Sequence, residues 1–221
     1  MVNPTKSIFP KAFLFDLNGT MIDDMDYHIN AWHRILNELG ANLSLERVKA
    51  ECYGKNNELL ERIFPGRFSE EEKNRMSIEK ETEYQQLFKP HLKLLPGLHD
   101  FLQKAKERNI KMAIGSAAIM FNIDFVLDNL NIRHYFDAIV SADDVSLSKP
   151  NPETYLLCAK QLNILPQDCL VFEDAPKGVE AAANAGMDCF VLTTMHEKNE
   201  FEGYRNIIGI EKDFRIIKTE D

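Results

Sequence analysis

The sequence lacks a long apolar run and an N-terminal leader pattern. No stretch of its 221 residues approaches the roughly 18 consecutive apolar residues that a membrane-spanning helix needs. Met1–Lys6 is too short and too polar for a signal peptide. We therefore expect no membrane partner, and we assign the chain to the cytoplasm.

Paired cysteines and an excess of positive charge are also missing. The four cysteines form no CxxC pair, so they are most simply buried thiols of a reducing compartment rather than metal ligands or disulfides. The chain has 26 basic and 35 acidic residues, and its formal net charge of −9 disfavours a nucleic acid as partner. A local cationic pocket for a small phosphate remains compatible with this charge.

The chain does contain a short apolar run, Ala12–Phe15, that ends abruptly in Asp16, Asn18 and Gly19. The run shows no period-2 alternation, which is typical of a strand covered on both faces in a parallel sheet. Ligands bind at the carboxyl ends of such strands, where a carboxylate can ligate a cation or attack phosphorus. By itself the stretch is equally compatible with a strand-ending turn.

Three later predicted strands are also followed by polar side chains. The strands and the residues after them are Ile110–Ile114 with Ser116 and Ala117, Ala138–Val140 with Lys149, and Leu170–Phe172 with Glu173 and Asp174. Together with Asp16 they bring a nucleophile, a hydroxyl, a cation and two more acids to one sheet edge. Phosphoryl transfer needs these parts.

On these four motifs the chain resembles the haloacid dehalogenase superfamily, and within it the phosphatase and β-phosphoglucomutase branch. The resemblance runs from Ala12 to about Thr194 and keeps the family's motif order. It implies a Rossmann-like α/β core with a parallel sheet, a Mg²⁺ cofactor, and a small phosphorylated metabolite, a sugar phosphate, as substrate. We expect a monomer.

The segment between the first and second strands is predicted to be helical. Helical periodicity covers about 23–39, 44–53, 56–63 and 69–88, and no convincing strand precedes Ile110. Because the resemblance identifies this block as the α-helical cap inserted after the first strand, we assign 23–93 to a cap domain and 1–22 with 94–221 to the core. After Ile110 strands and helices alternate, as in a parallel sheet. Ile207–Ile210 and Phe214–Ile217 are expected to add short edge structure.

The resemblance implies catalytic roles for core residues. Asp16 matches the nucleophile that forms an aspartyl-phosphate. Ser116 matches the hydroxyl that donates to the phosphoryl group, helped by backbone N–H groups after the strand, which include that of Ala117. Lys149 matches the cation that offsets charge between nucleophile and phosphate. Alternatively, Ser116 is a helix N-cap and Lys149 a solvated loop residue.

The same resemblance implies the metal ligands. Asp16, the backbone carbonyl of Asn18, Glu173 and Asp174 match the Mg²⁺ site, with Glu173 binding directly or through water. The alternative for the acidic pair is a helix N-terminus, where acids are also favoured.

Asn18 departs from the family pattern, which has an aspartate two residues after the nucleophile. That aspartate protonates the leaving oxygen and later deprotonates the attacking water or hydroxyl, and asparagine does neither. Its backbone carbonyl is unchanged, so metal binding should survive while acid/base help is lost. This holds for a natural replacement and for an engineered one.

The predicted cap matches the mutase branch only in part. His28 and Trp32, one helical turn apart, match a histidine that binds the acid/base aspartate and a tryptophan at the cap interface, although Trp32 is equally compatible with plain core. Lys80 matches a lysine near the substrate. The arginine that grips the distal phosphate is replaced by Asn57, which disfavours bisphosphate binding and so mutase activity.

Two other functions are weighed against a phosphatase or phosphomutase. One is a catalytically weakened protein that binds a phosphate ligand, which Asn18 permits. The other is carbon–halogen hydrolysis, which Glu173 and Asp174 disfavour because displacing halide needs no Mg²⁺.

Overall fold

The structure is a computed structural model that describes residues 10–217 of the chain. These residues form two compact units: Asp24–Leu92 is one, and the remaining described residues are the other. No helix within residues 10–217 is both long and apolar enough to cross a membrane.

The Asp24–Leu92 unit is helical. Its helices are α1 (Met25–Glu38), α2 (Leu45–Glu51), α3 (Asn56–Ile63) and α4 (Glu70–Phe88). Ser44 and Ser69 cap α2 and α4 by accepting hydrogen bonds from backbone N–H groups three residues later, which satisfies donors that a helix start leaves unpaired. The four helices lie close to the predicted positions, while the role of this unit as a cap stays a prediction.

The other unit contains a parallel six-stranded sheet in the order β3-β2-β1-β4-β5-β6. Its strands are β1 (Ala12–Phe15), β2 (Lys111–Gly115), β3 (Ala138–Val140), β4 (Cys169–Glu173), β5 (Asp188–Leu192) and β6 (Ile207–Glu211). Its helices are α5 (Leu98–Glu107), α6 (Met120–Asn129), α7 (Glu153–Leu162) and α8 (Pro176–Asn184). This architecture confirms the predicted α/β fold with a Rossmann-like parallel sheet.

Strand β1 lies at the centre of the sheet because both of its faces are apolar. On one side Phe15 stacks on Phe172 with ring centroids 4.9 Å apart, and Phe101 and Phe214 complete an aromatic cluster. On the other side Leu14 belongs to a cluster with residues of β4, β5, α7 and α8. Such burial stabilises a domain by roughly 25 cal/mol per Å² of apolar surface.

The segment after β6 differs from its prediction. Ile207–Ile210 lies within the edge strand β6, but 214–217 forms a turn rather than a strand. Phe214 is 2% exposed and packs against the rings of Phe15, Phe101 and Phe172, so its hydrophobic character reflects burial in the core and not strand pairing. A run of apolar residues this short does not distinguish the two.

Candidate active site

Asp16 and Asn18 lie in the turn that follows β1. The Asp16 N–H donates to the Phe172 carbonyl at 3.0 Å, which continues the β1–β4 ladder. Gly19 then takes a φ of +78°, a conformation that favours glycine, and its N–H donates to the Ile22 carbonyl at 2.8 Å. This turn leaves Asp16 8% exposed and Asn18 half-buried at the carboxyl end of the sheet.

Lys149 joins two of the predicted acids. Its Nζ lies 2.6 Å from Asp16 Oδ1 and 2.7 Å from Glu173 Oε1, and its side chain is 9% exposed. Burial alone would lower the pKa of Lys149, but the two carboxylates raise it overall. The lysine therefore stays a cation, and the solvated-loop alternative does not describe it.

Glu173 accepts hydrogen bonds at both carboxylate oxygens. Oε1 accepts from Lys149 and from the Tyr155 hydroxyl, each at 2.7 Å. Oε2 accepts from the backbone N–H groups of Asp174 and Ala175 at 2.9 and 3.1 Å. Four donors fix the orientation of this carboxylate.

Asp174 is 4% exposed and accepts a hydrogen bond from Thr20 Oγ1 at 3.1 Å. Burial raises its pKa well above the ordinary range, and the Glu173 and Asp16 carboxylates raise it further. Helix α8 begins at Pro176 after Ala175, without a side-chain cap, so Asp174 does not act as its N-cap.

The three acids fit a divalent cation. Asp16, Glu173 and Asp174 each offer a carboxylate oxygen, and these atoms lie within 4.8 Å of one another. Mg²⁺ is a hard cation that prefers oxygen ligands, and its charge would offset the repulsion that raises the pKa of Asp174. The site also needs Gly19, because a Cβ there would lie 2.1 Å from Asp174 Oδ2.

Ser116 follows β2, the strand that pairs with β1 on the side opposite β4. Phe15 is in register with Ile114, so Ser116 lies just beyond the level of Asp16. Its Oγ accepts from the Ala118 N–H at 3.1 Å, and Ala117 beside it is half-buried. Ser116 does not cap α6, whose N-cap is Ile119.

The residues predicted in the helical unit occupy two environments. Lys80 is 1% exposed, and its Nζ lies 2.6 Å from His28 Nδ1. Trp32 is also 1% exposed, and its ring centroid lies 5.4 Å from Lys80 Nζ. Asn57 lies elsewhere, where its amide donates to Glu70 and Asn74 at 3.2 and 2.7 Å. A role in substrate binding stays a prediction for all four residues.

Several partners of the predicted residues, in each unit, were missed from the sequence. Tyr155 and Thr20 contact the acids of the core, and Glu81 pairs with Lys80 at 2.8 Å. Tyr84 stacks on His28 and donates to Asp24. Thr20 adjoins the first motif and could have been considered, but nothing in the pattern of α7 distinguishes Tyr155 from core.

Comparison with known proteins gives concordant matches. A family model described as haloacid dehalogenase-like hydrolase matches residues 13–192. A fructose-1-phosphate phosphatase of Escherichia coli is 32% identical over 177 residues, 80% of this chain and 93% of that protein. A β-phosphoglucomutase of Bacillus subtilis is 34% identical over 185 residues, 80% of each chain. The crystal structure of a β-phosphoglucomutase from Clostridium difficile matches with a TM-score of 0.83 at 31% identity, covering 95% of this chain and 94% of that one.

Proposed function

The chain belongs to the haloacid dehalogenase-like hydrolase family, among its sugar-phosphate phosphatases and phosphomutases. From this membership we propose that the protein is a Mg²⁺-dependent phosphatase that acts through an aspartyl-phosphate at Asp16. The substrate class is a small phosphorylated metabolite, namely a sugar phosphate. The observation that carries the proposal is the position of Lys149 between Asp16 and Glu173, 2.6 and 2.7 Å away, beside the third acid, Asp174.

In the first step an Asp16 carboxylate oxygen attacks phosphorus, and the bond to the leaving alkoxide breaks. Lys149, whose Nζ lies 2.6 Å from Asp16 Oδ1, would offset the charge of the phosphoryl group, while Ser116 and nearby backbone N–H groups would donate to its oxygens. Asp16, the Asn18 carbonyl and Asp174 would hold the cation directly. The four hydrogen bonds to Glu173 favour a contact through water. When bound, Mg²⁺ supplies Lewis-acid stabilisation of phosphoryl charge.

Both proton transfers would be impaired at Asn18. The leaving alkoxide needs a proton in the first step, and the water that hydrolyses the aspartyl-phosphate must lose one in the second. An amide side chain supplies neither. The loss of such acid/base help typically slows a reaction by about 10²–10⁴-fold, so turnover on sugar phosphates is expected to be slow.

The helical unit favours hydrolysis of a monophosphate over mutase exchange through a bisphosphate. Lys80 is paired with Glu81 at 2.8 Å, and Asn57 donates to Glu70 and Asn74. A second phosphate would have to compete with a buried carboxylate for Lys80. These pairings support the phosphatase as the first candidate and the β-phosphoglucomutase-like phosphomutase as the second.

A panel of phosphorylated metabolites, assayed for phosphate release with and without Mg²⁺, tests the proposal. The panel should include hexose and hexitol monophosphates, and β-glucose 1-phosphate with a bisphosphate activator for the mutase reaction. Mg²⁺-dependent release from sugar monophosphates that disappears in Asp16→Asn is the expected result. Tight binding of sugar phosphates without turnover, even on Asn18→Asp, would favour a ligand-binding pseudoenzyme instead.

A further inference from the structure

Tyr155 contacts both Glu173 and Lys149 in the buried charge cluster of the core unit. Its side chain is fully buried in the first turn of α7, and its hydroxyl donates to Glu173 Oε1 at 2.7 Å. The ring lies beside Lys149, whose Nζ is 4.7 Å from the ring centroid. An ammonium within about 6 Å of an aromatic face is attracted to it.

The hydroxyl shares its acceptor with the lysine. Glu173 Oε1 accepts from both Tyr155 and Lys149, while two backbone N–H groups hold Oε2. The Lys149 ammonium contacts this oxygen and Asp16 Oδ1 at the same time, so the two carboxylates compete for it. A second donor on Oε1 offsets part of the Glu173 charge, which weakens the pull of Glu173 on the ammonium and favours its contact with Asp16.

We propose that Tyr155 is a positioning residue for phosphoryl transfer, which holds Lys149 against Asp16 by donating to Glu173 and by placing its ring beside the ammonium. The inference rests on the proposed function, because the step it serves is the attack of Asp16 on phosphorus. Tyr155 acts through Glu173, which accepts from its hydroxyl, and through Lys149, which lies beside its ring.

Packing around Glu173 Oε1 supports this role independently. A Cβ added at Gly178 would lie 1.8 Å from Oε1, so helix α8 closes a further side of this oxygen. The start of α7 also holds the loop of Lys149, since Glu153 Oε2 accepts from the N–H groups of Ser146 and Leu147 at 2.9 and 3.0 Å. The hydroxyl therefore acts in a site where small displacements of Glu173 are transmitted to Lys149.

Tyr155→Phe removes the donor and keeps the ring. We expect the rate of Asp16 phosphorylation by acetyl phosphate with Mg²⁺, followed by rapid quench and mass spectrometry, to fall by about tenfold or more, the usual worth of a hydrogen bond to a charged group. The KM for acetyl phosphate should change less than twofold, because Tyr155 is proposed to act through Glu173 and Lys149 and not on the ligand. A purely structural role would lower the unfolding midpoint and leave the rate of the folded protein unchanged.

Tyr135→Phe is the matched control, since Tyr135 is another buried tyrosine of the core unit, packed beside His99 and His134. In this variant acetyl phosphate should phosphorylate Asp16 at the same rate as in the unaltered chain. Labelling of Tyr155→Phe at the unaltered rate, or an equal loss in Tyr135→Phe, would overturn the proposal. If Tyr155→Phe does not fold, Gly178→Ala tests the same oxygen, because its Cβ would lie 1.8 Å from Glu173 Oε1 and force that oxygen to shift. It should slow labelling similarly, and an unchanged rate would count against the proposal.

A crystal structure of Tyr155→Phe separates this inference from the proposed function. We expect Lys149 Nζ to stay on Glu173 and to leave hydrogen-bond distance of Asp16 Oδ1, which is 2.6 Å away in the unaltered chain. If the unaltered chain forms no phosphoaspartate, the proposed function fails, and this distance alone decides the role of Tyr155. Retention of both lysine contacts would show that Tyr155 does not position Lys149.

Discussion

Lys149 Nζ lies 2.6 Å from Asp16 Oδ1 although 133 residues separate them in the chain. The contact forms because Asp16 follows β1 and Lys149 lies in the segment after β3, and both strands end at the carboxyl edge of one parallel sheet. Lys149 is the cation in the described cluster of Asp16, Lys149, Glu173 and Asp174, and it also pairs with Glu173 at 2.7 Å.

Asp16→Asn should abolish phosphate release while the protein remains folded. An amide cannot accept the phosphoryl group as a carboxylate does, whereas Lys149 keeps its contact with Glu173 at 2.7 Å, so the cluster retains a charge pair. Asp128→Asn, which alters an exposed acid on α6, is the control and should be active. Phosphate release and circular dichroism measure the two effects. More than a few per cent of residual activity with saturating Mg²⁺ would exclude Asp16 as the nucleophile.

Lys149→Met should lower the free energy of unfolding by about 3–5 kcal/mol, the usual cost of leaving buried charges without their partner. Lys111→Met is the control, because Lys111 pairs with Asp137 but is 52% exposed, and surface pairs contribute about 0–1 kcal/mol. Urea unfolding without divalent cations measures both. Mg²⁺ should restore part of the loss in Lys149→Met, since it neutralises the same carboxylates. Equal losses in the two variants would contradict the stabilising role of Lys149.

Gly19→Ala should weaken Mg²⁺ binding, while Gly186→Ala should not. Both glycines have positive φ, +78° and +73°, so both alanine variants bear the left-handed backbone cost of about 1–2 kcal/mol. Only at Gly19 does the added Cβ meet a side chain, 2.1 Å from Asp174 Oδ2; at Gly186 nothing lies within 4 Å. The Mg²⁺-dependent rise in the unfolding midpoint reports binding. An identical rise in the unfolding midpoint of both variants would show that Asp174 is not a ligand of the metal.

The sequence predicted the parts of this site whose chemistry lies in short motifs at strand ends. Asp16, Lys149, Glu173 and Asp174 could be placed together because parallel strands end at a common edge and because the motif order matches a known family. Tyr155 could not be found this way, since a tyrosine at an apolar position of α7 has the same pattern as a core residue. What distinguishes it is the acceptor of its hydroxyl, which depends on how α7 packs against β4.

In the helical unit, too, the helices were predicted from the sequence but the contacts between their side chains were not. The periodicity of α1 and α4 predicted two helices, and the resemblance singled out His28 and Lys80. No pattern in the sequence indicated that a buried carboxylate, Glu81, would pair with Lys80 at 2.8 Å. Adjacent positions on a helix do not share a face in simple periodicity arguments, so this pairing depends on the tertiary burial of both side chains.

Asn18 lacks the carboxylate that the two proton transfers would need. If its amide is the only missing catalytic part, Asn18→Asp should raise turnover on sugar phosphates by about 10²-fold or more. Activated aryl or acyl phosphates should gain much less in the phosphorylation step, because their leaving groups hardly need a proton. The unaltered chain should then accumulate label at Asp16 from an activated phosphate, since phosphorylation proceeds while hydrolysis lacks a base.

Measurement of this asymmetry needs a control for deamidation, because an Asn–Gly sequence such as Asn18–Gly19 converts spontaneously to aspartate. The reaction requires the Gly19 nitrogen to attack the Asn18 side chain, and that N–H donates to the Ile22 carbonyl at 2.8 Å, which should slow it in the folded protein. Peptide mass spectrometry of the assayed sample quantifies the converted fraction, and activity that scales with this fraction belongs to the aspartate form. If Asn18→Asp leaves both substrate classes unchanged in a sample free of conversion, the missing base is not the limitation. A weakened phosphate-binding protein, or a different base such as His28, then becomes the better explanation.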